Sequence, residues 1–361
     1  MLIISLIRRW EENSTQNPPS GYHPSNSLSV IIIARNEEEN IVGCLNSVLS
    51  NDFPKEQYEI IVVDDHSTDK TIQKIQNIAS ANIKILSLAD YVGSKKVNAF
   101  KKEGIIYALQ HTKFDYIIHT DADCHVPNNW LIKTAYNFEQ GIKLQAAPIG
   151  FKPTKSFLDW FQQLDMYTLM ACTNAGIRSK KWYLANGANL AYQHSSLPAN
   201  IYSESDKFAS GDDVYLINQM AQKNADQLLF DASLKVTTPP IENLQHFIRQ
   251  RIRWAGKNRN LGKGKMKNIL LIPVITNLWV FIILFLIPFV PKIAIVTLFF
   301  FLLTKAMIDY AFLNYMQESL NPDQKNRYFL PAFICYPFYI IIIGIVSLFT
   351  KSYIWKSRRV H

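Results

Sequence analysis

"LSVIIIARNEEENIVGCLNSVLS", residues 28–50, decides the fold, because "YEIIVVDDHSTDKTIQKIQNIA", residues 58–79, repeats its plan. Each stretch opens with an apolar run rich in β-branched residues, crosses an acidic loop and ends with apolar residues at helical spacing. β-Branched residues suit strands, and a near-continuous apolar run suits a strand covered on both faces. "ANIKILSLA", 81–89, is a third strand, "KKVNAFKKEGIIYALQHT", 95–112, a further helix, and "FDYIIHTDADC", 114–124, a fourth strand. Strands alternating with helices predict an α/β fold with a doubly wound, mostly parallel sheet. Such sheets bind ligands beyond the carboxyl ends of their strands. "ARNEEEN", "DDHSTD" and "DADC" all follow apolar strands, so they should crowd one edge of the sheet.

Asp121 and Asp123 stand one residue apart at the end of the fourth strand. Strand residues i and i+2 point the same way, and two like charges held together repel unless something neutralises them. A cation, a shared proton and solvent are the available remedies. The chain carries neither GxGxxG after its first strand nor GxxxxGK[ST]. Any nucleotide must therefore be held by acids and side chains rather than by a glycine-rich cradle. "GSKK", residues 93–96, offers a lysine to phosphate after the third strand.

The 361 residues are 48% hydrophobic and 12% aromatic, but the average hides a division near residue 268. Beyond it, residues 269–290, 293–313 and 329–349 each approach the roughly 20 apolar residues that cross a bilayer, which predicts about three transmembrane helices. The second carries Lys305 and Asp309, four apart on one helical face and able to pair, or Lys305 can snorkel to an interface. The net charge of +9 is concentrated. Between Glu242 and the first apolar run there is no acid, while Arg249, Arg251, Arg253, Lys257, Arg259, Lys263, Lys265 and Lys267 follow one another. A basic band beside an apolar span reads as a cytoplasmic flank meeting lipid headgroups, and no nucleic-acid motif accompanies it. The expected location is the membrane, multi-pass, with the soluble part cytoplasmic. Cys44, Cys124, Cys172 and Cys335 show neither a disulfide framework nor zinc spacing. Residues 13–27 read as a polar linker, and "SFLDWFQQLDMYTLMACT", 156–173, reads as a helix lying at the membrane interface.

The ordered set "SVIIIARNEEENI", "VVDDHSTDKT", "KKVNAF", "DADC", "NGAN", "SGDDV" and "QRIRW" resembles the family 2 glycosyltransferases with the nucleotide-sugar-binding GT-A fold. The resemblance covers about residues 28–267, and QxxRW directly before a membrane span is its most specific member. It implies that Ala34, Arg35 and Glu37 line the nucleoside pocket, that Asp65 with Asp64 contacts the base (most often uracil), and that Lys96 or Lys95 faces the diphosphate. Asp121 and Asp123 would form the DxD pair on Mg²⁺ or Mn²⁺, with Asp123 the direct ligand. Asp213 would be the catalytic base, supported by Asp212; "GDD" replaces a dipeptide that more usually begins with Glu. Gln250, Arg253 and Trp254 would serve the diphosphate and acceptor, and Gly187 and Asn189 of "NGAN" the acceptor side.

The chemistry agrees with that reading. Hard divalent cations take carboxylates plus substrate phosphates, which makes the acidic pair tolerable, and an acceptor hydroxyl needs a base. The expected organisation is a stub and linker over 1–27, the transferase domain over 28–243, a basic interfacial segment over 244–268 and a membrane region over 269–361. The expected enzyme is a metal-dependent inverting glycosyltransferase moving a sugar from a nucleoside-diphosphate donor, UDP-sugar above all, to a lipid-linked or glycan acceptor. The rival readings are a processive polysaccharide synthase, a membrane-anchored phosphotransfer protein and a catalytically silent nucleotide-sugar binder.

Overall fold

The computed structural model describes residues 2–11, 15–94, 97, 99–152, 156–198, 201, 211–257, 265–324, 326–350, 353–355 and 358–360. The first half runs α1 (Leu2–Glu11), β1 (Leu28–Ala34), α2 (Ile41–Leu49), β2 (Tyr58–Asp64), α3 (Thr71–Gln76), β3 (Ile83–Ser87), α4 (Leu88–Val92), α5 (Phe100–Leu109) and β4 (Tyr116–Asp121). It continues through α6 (Trp130–Glu139), β5 (Leu144–Ala146), β6 (Ile149–Phe151), α7 (Phe157–Ser179), β7 (Leu190–Gln193), α8 (Asp212–Asn224), β8 (Leu228–Phe230) and β9 (Val236–Thr238). Helices α9 (Leu244–Lys257), α10 (Lys265–Leu286), α11 (Pro291–Leu320) and α12 (Phe329–Phe349) follow. The chain divides into two compact units. A sheet unit takes Trp10–Lys152, Thr173–Pro239 and Ile354–His361, and a helical unit takes Met1–Arg9, Pro153–Cys172 and Pro240–Tyr353.

In the sheet unit the described residues form one seven-stranded sheet in the order β3-β2-β1-β4-β7-β5-β8. β1 runs parallel to β2 and β4, β2 to β3 and β5 to β8, while β7 alone is antiparallel to its neighbours. Leu28, Val30, Ile31 and Ile32 of β1 and Ile60 to Val63 of β2 are buried throughout, as an apolar run between two helical layers requires. The chain winds outward from β1 to β3, then returns to place β4 on the other side of β1. That reversal opens the crevice where doubly wound sheets take ligands. Its lip is set by register, with Ala34 beside Asp64 and Ile33 beside Asp121.

Much of the segment expected as a linker is tied to the sheet unit. The buried Lys133 of α6 donates to Thr15 Oγ1 and Asn17 Oδ1, and Ser25 donates through N–H and Oγ to Glu139.

In the helical unit, Trp160, Phe161 and Leu164 of α7 are buried with Phe247 of α9 and Ala332 of α12. This corrects the interfacial reading of residues 156–173: the aromatic stripe is packed against protein, which removes it from water as effectively as lipid would. Two helices, Pro291–Leu320 and Phe329–Phe349, are long and apolar enough to cross a membrane. The first expected span falls within α10, where Leu271–Leu286 is a shorter apolar stretch among the described residues. Lys305 and Asp309 pair within α11, and the Lys305 ammonium lies 4.7 Å from the centroid of the Phe333 ring.

Candidate active site

Two loops leave the carboxyl ends of β1 and β2, and side chains stitch them together. Asn36, whose φ of 50° is left-handed, accepts the Thr68 N–H at 2.8 Å and donates its own N–H to Ser67 Oγ. Glu37 N–H reaches Thr71 Oγ1 at 2.8 Å, and Glu38 N–H reaches Asp69 Oδ2 at 3.1 Å. Asp69 also accepts Thr71 N–H and Oγ1–H. Burial alone would raise its carboxyl, but these hydrogen bonds outweigh that and hold it below the usual carboxylate range. Arg35 donates from Nη1 to the Asp65 carbonyl at 2.9 Å, and Glu37 Oε2 accepts from Asn40. Ala34 O accepts the Asp65 N–H.

The acidic pair closing β2 divides in two. The Asp65 side chain is fully enclosed, with Oδ1 3.0 Å from His66 Nδ1 and 3.8 Å from Arg35 Nη1. Asp64 is half-buried and accepts the Ser67 N–H at 3.2 Å. Asp65, expected with Asp64 to contact a nucleobase, thus lies against Arg35 and His66, while Asp64 beside it is half-buried.

On the other side of β1, Asp121 ends β4, and Asp123 follows it in a tight turn whose Cys124 N–H returns to Asp121 O. Both carboxylates are half-buried. Lys101 Nζ, from the first turn of α5, lies 2.5 Å from Asp121 Oδ1. The same ammonium stands 3.9 Å from where a Cβ on Gly187 would lie, and Asp213 Oδ2 stands 3.8 Å from that point. Asp213 Oδ2 accepts the Gly187 N–H at 3.1 Å, and Oδ1 accepts the Val214 N–H at 2.9 Å. One short chain of contacts therefore runs from the DxD pair through Lys101 and Gly187 to Asp213. Asp212 and Asp213 open α8, where the helix dipole favours negative charge. Among the described residues no group of three or more His, Cys, Asp or Glu side chains is placed to hold a metal. Two carboxylates suit a hard cation that completes its shell from a diphosphate.

Two nearby groups are chemically quiet. Burial pushes the Cys44 and Cys124 thiols up, so both stay protonated core residues. Burial, and then the Lys101 charge, push His119 down to about 3; its neutral ring lies 2.9 Å from Tyr192 Oη.

Asn189 is not free to meet an acceptor. Its amide donates to Pro148 O and Leu234 O and accepts from Trp130 Nε1, all in the core. Lys95 and Lys96 lie outside the described residues, as do the side chains of Lys257, Lys263, Lys265 and Lys267 in the basic band. The lysine the fold brings to the acidic pair is Lys101. Sequence reasoning missed it, although its place in the first helical turn, directly after "KKVNAF", was the available signal.

In the helical unit, α9 carries Gln250, Arg253 and Trp254, each half-buried. Between them Arg251 is almost fully buried. Its Nε donates to Asp165 Oδ2 at 2.9 Å, its Nη1 donates to Gln250 Oε1, and its guanidinium lies 4.7 Å from the Phe247 ring centroid and 4.2 Å from that of Trp254. Tyr339 of α12 donates to the same Asp165 oxygen at 2.5 Å. The basic residue inside the motif thus fixes the helix on which the motif is displayed.

The family profile for glycosyl transferase family 2 matches residues 29–202, and that for glycosyl transferase family group 2 matches residues 116–346. The chain belongs to the family 2 glycosyltransferases. Both profiles include the acidic pair and Gly187, and the second continues through Asp213 and α9 into α12. Among curated proteins, this glycosyltransferase is similar to a dolichyl N-acetyl-alpha-D-glucosaminyl phosphate 3-beta-D-2,3-diacetamido-2,3-dideoxy-beta-D-glucuronosyltransferase of Methanococcus voltae. The two are 24% identical over 275 residues, 71% of this chain and 84% of that one. A poly(ribitol-phosphate) beta-glucosyltransferase of Bacillus spizizenii is 31% identical over 113 residues, which span 31% of this chain and 17% of that protein. Glycosyltransferase AglE of Haloferax volcanii is 36% identical over 106 residues, 29% of this chain and 33% of the relative. Matches to these last two relatives thus cover a third or less of their length. Mannosyltransferase PcManGT from Pyrobaculum calidifontis, solved in complex with GDP-Man and Mn²⁺, superposes with a TM-score of 0.58 at 14% identity, covering 97% of this chain and 94% of that one. That likeness carries the GT-A-type fold.

Proposed function

We propose that this glycosyltransferase is an inverting, metal-dependent enzyme that moves a sugar from a nucleoside-diphosphate donor, a UDP-sugar in the first instance, to a lipid-linked or glycan acceptor at a membrane. The observation that carries the reading is the chain of contacts from Asp121 through Lys101 and Gly187 to Asp213. It links a pair suited to a cation and diphosphate with a carboxylate suited to an acceptor proton. Ala34, Arg35, Glu37 and Asp64 line the nucleoside side, with Asp65 bracing Arg35. Asp121 and Asp123 would hold Mg²⁺ or Mn²⁺, which when bound supplies Lewis-acid stabilisation of the departing diphosphate. Asp213 takes the proton from the acceptor hydroxyl as that oxygen attacks the anomeric carbon, and the donor's diphosphate leaves from the opposite face, inverting the centre. Gly187 and Val214 N–H hold the carboxylate aimed, and Asp212 stands beside it at the start of α8. The family resemblance assigns Lys96, Gln250 and Arg253 to the diphosphate and Trp254 to an acceptor, roles that suit a guanidinium and an aromatic face.

The two apolar helices α11 and α12, with α10, are read as the membrane region, the basic band after α9 meeting anionic headgroups on the cytoplasmic side. The Methanococcus voltae relative acts, by its name, on a dolichyl-phosphate-linked sugar, which supports a lipid acceptor. The test is a panel of nucleotide sugars with detergent-solubilised protein, polyprenyl-phosphate-linked sugars as acceptors, and mass detection of products with and without Mn²⁺ or Mg²⁺. A metal-dependent lipid product supports the reading. Donor binding with no transfer to any lipid or glycan acceptor would sink it.

A further inference from the structure

We propose that Lys101 is an exchangeable counter-ion: it neutralises Asp121 in the free protein and moves to the diphosphate when donor binds, coupling cation binding to nucleotide binding. This rests on the cation and diphosphate reading above and goes beyond it, because it concerns the order and coupling of the two ligands.

The geometry has three parts. Lys101 Nζ is ion-paired with Asp121 Oδ1 at 2.5 Å, a charge-assisted contact. Both side chains are 40% exposed, so neither is walled in, and a lysine stem turns freely about its bonds. The ammonium also borders the space beside Gly187 that Asp213 Oδ2 faces, so a short swing keeps it inside the site.

A divalent cation on Asp121 meets this ammonium as a like charge on the same carboxylate. In the free protein the two compete, which weakens the cation. A nucleoside diphosphate brings anionic oxygens that serve both: some complete the cation's shell, and another accepts from Lys101. Each ligand then removes an obstacle to the other, and such coupling is reciprocal. No bond is made or broken in this exchange. Lys101 changes only its partner.

The experiment titrates Mn²⁺ into the full-length, detergent-solubilised protein by electron paramagnetic resonance and by calorimetry, alone and with UDP or GDP, for the native protein, Lys101→Met and Lys101→Arg. The native protein should bind Mn²⁺ roughly tenfold or more tighter with nucleotide present. Lys101→Met, which keeps the stem and removes the charge, should bind Mn²⁺ alone more tightly and UDP more weakly, bringing the coupling factor towards one. Lys101→Arg should retain the coupling. A Lys101→Met protein with native Mn²⁺ affinity and native coupling would overturn the inference. Mn²⁺ binding by none of the proteins, with or without nucleotide, would instead overturn the metal reading on which it rests.

Discussion

Asp213 and Asp123 should fail differently when each is replaced by asparagine, because they face different partners. Both Asp213 oxygens accept backbone N–H groups, and an amide can satisfy only one of these while losing the negative charge. Asp213→Asn should lower transfer by about 10²–10⁴ yet bind UDP within a few-fold of native in calorimetry. Native transfer by this variant would move the base to Asp212. Asp123→Asn keeps the size and shape of the side chain, so it should lose Mn²⁺-dependent UDP binding with an unchanged thermal midpoint. Equal metal-dependent binding by both variants would contradict this division of labour.

The loops after β1 and β2 act as one element because Asp69 accepts from Glu38 and Thr71 together. The carboxyl is depressed below its ordinary 3.8. Its stabilisation is therefore complete above pH 3.8 and is lost as pH falls through the lower folded value. Asp69→Asn should cost about 1 kcal/mol near neutrality and flatten stability against pH below 3.8, as read by thermal midpoints; an unaltered acid limb would rule the clamp out. In α7, a Cβ on Gly176 would meet the Trp182 carbonyl and indole Nε1 at 2.4 Å. The carbonyl is backbone and cannot swing away, so Gly176→Ala should cost about 1–3 kcal/mol.

The elements show what was legible. β1 to β4 are long, apolar and followed by acids, so periodicity found them and the crevice they frame. β5, β7 and β8 are three or four residues each, too short to carry a period, and only tertiary pairing makes them strands. Asn189 looked like a loop residue because "NGAN" has turn chemistry, whereas its amide is spent on two core carbonyls. Lys101 was hidden because a lysine on a helix carries no sign of which carboxylate the fold will bring to it. The stripe of α7 was visible, but its partners Phe247 and Ala332 come from distant sequence and nothing local distinguishes them from lipid.

At the scale of the whole molecule, the buried ionic contacts matter more than the exposed ones. Lys133 and Asp231 are both enclosed, 3.6 Å apart, and Asp231 also receives Thr15 Oγ1–H and Asn137 Nδ2–H. Lys133→Met strands a carboxylate in the core and should cost about 3–5 kcal/mol. Lys180→Ala removes an exposed pair with Asp226 and should cost no more than about 1 kcal/mol. Differential scanning fluorimetry of the two purified variants checks the contrast, and equal shifts would show that burial is not what sets the cost.

The interleaving of the two units has a consequence for how the chain can be cut and made. The backbone passes from one unit to the other at residues 9–10, 152–153, 172–173, 239–240 and 353–354, so neither unit is one continuous length of polypeptide. A fragment ending at residue 239 would keep Trp160, Phe161 and Leu164 but lose Phe247 and Ala332, the partners that cover them. During synthesis the same three side chains emerge long before those partners. A water-soluble catalytic fragment made by truncation should therefore aggregate unless this patch is made polar as well.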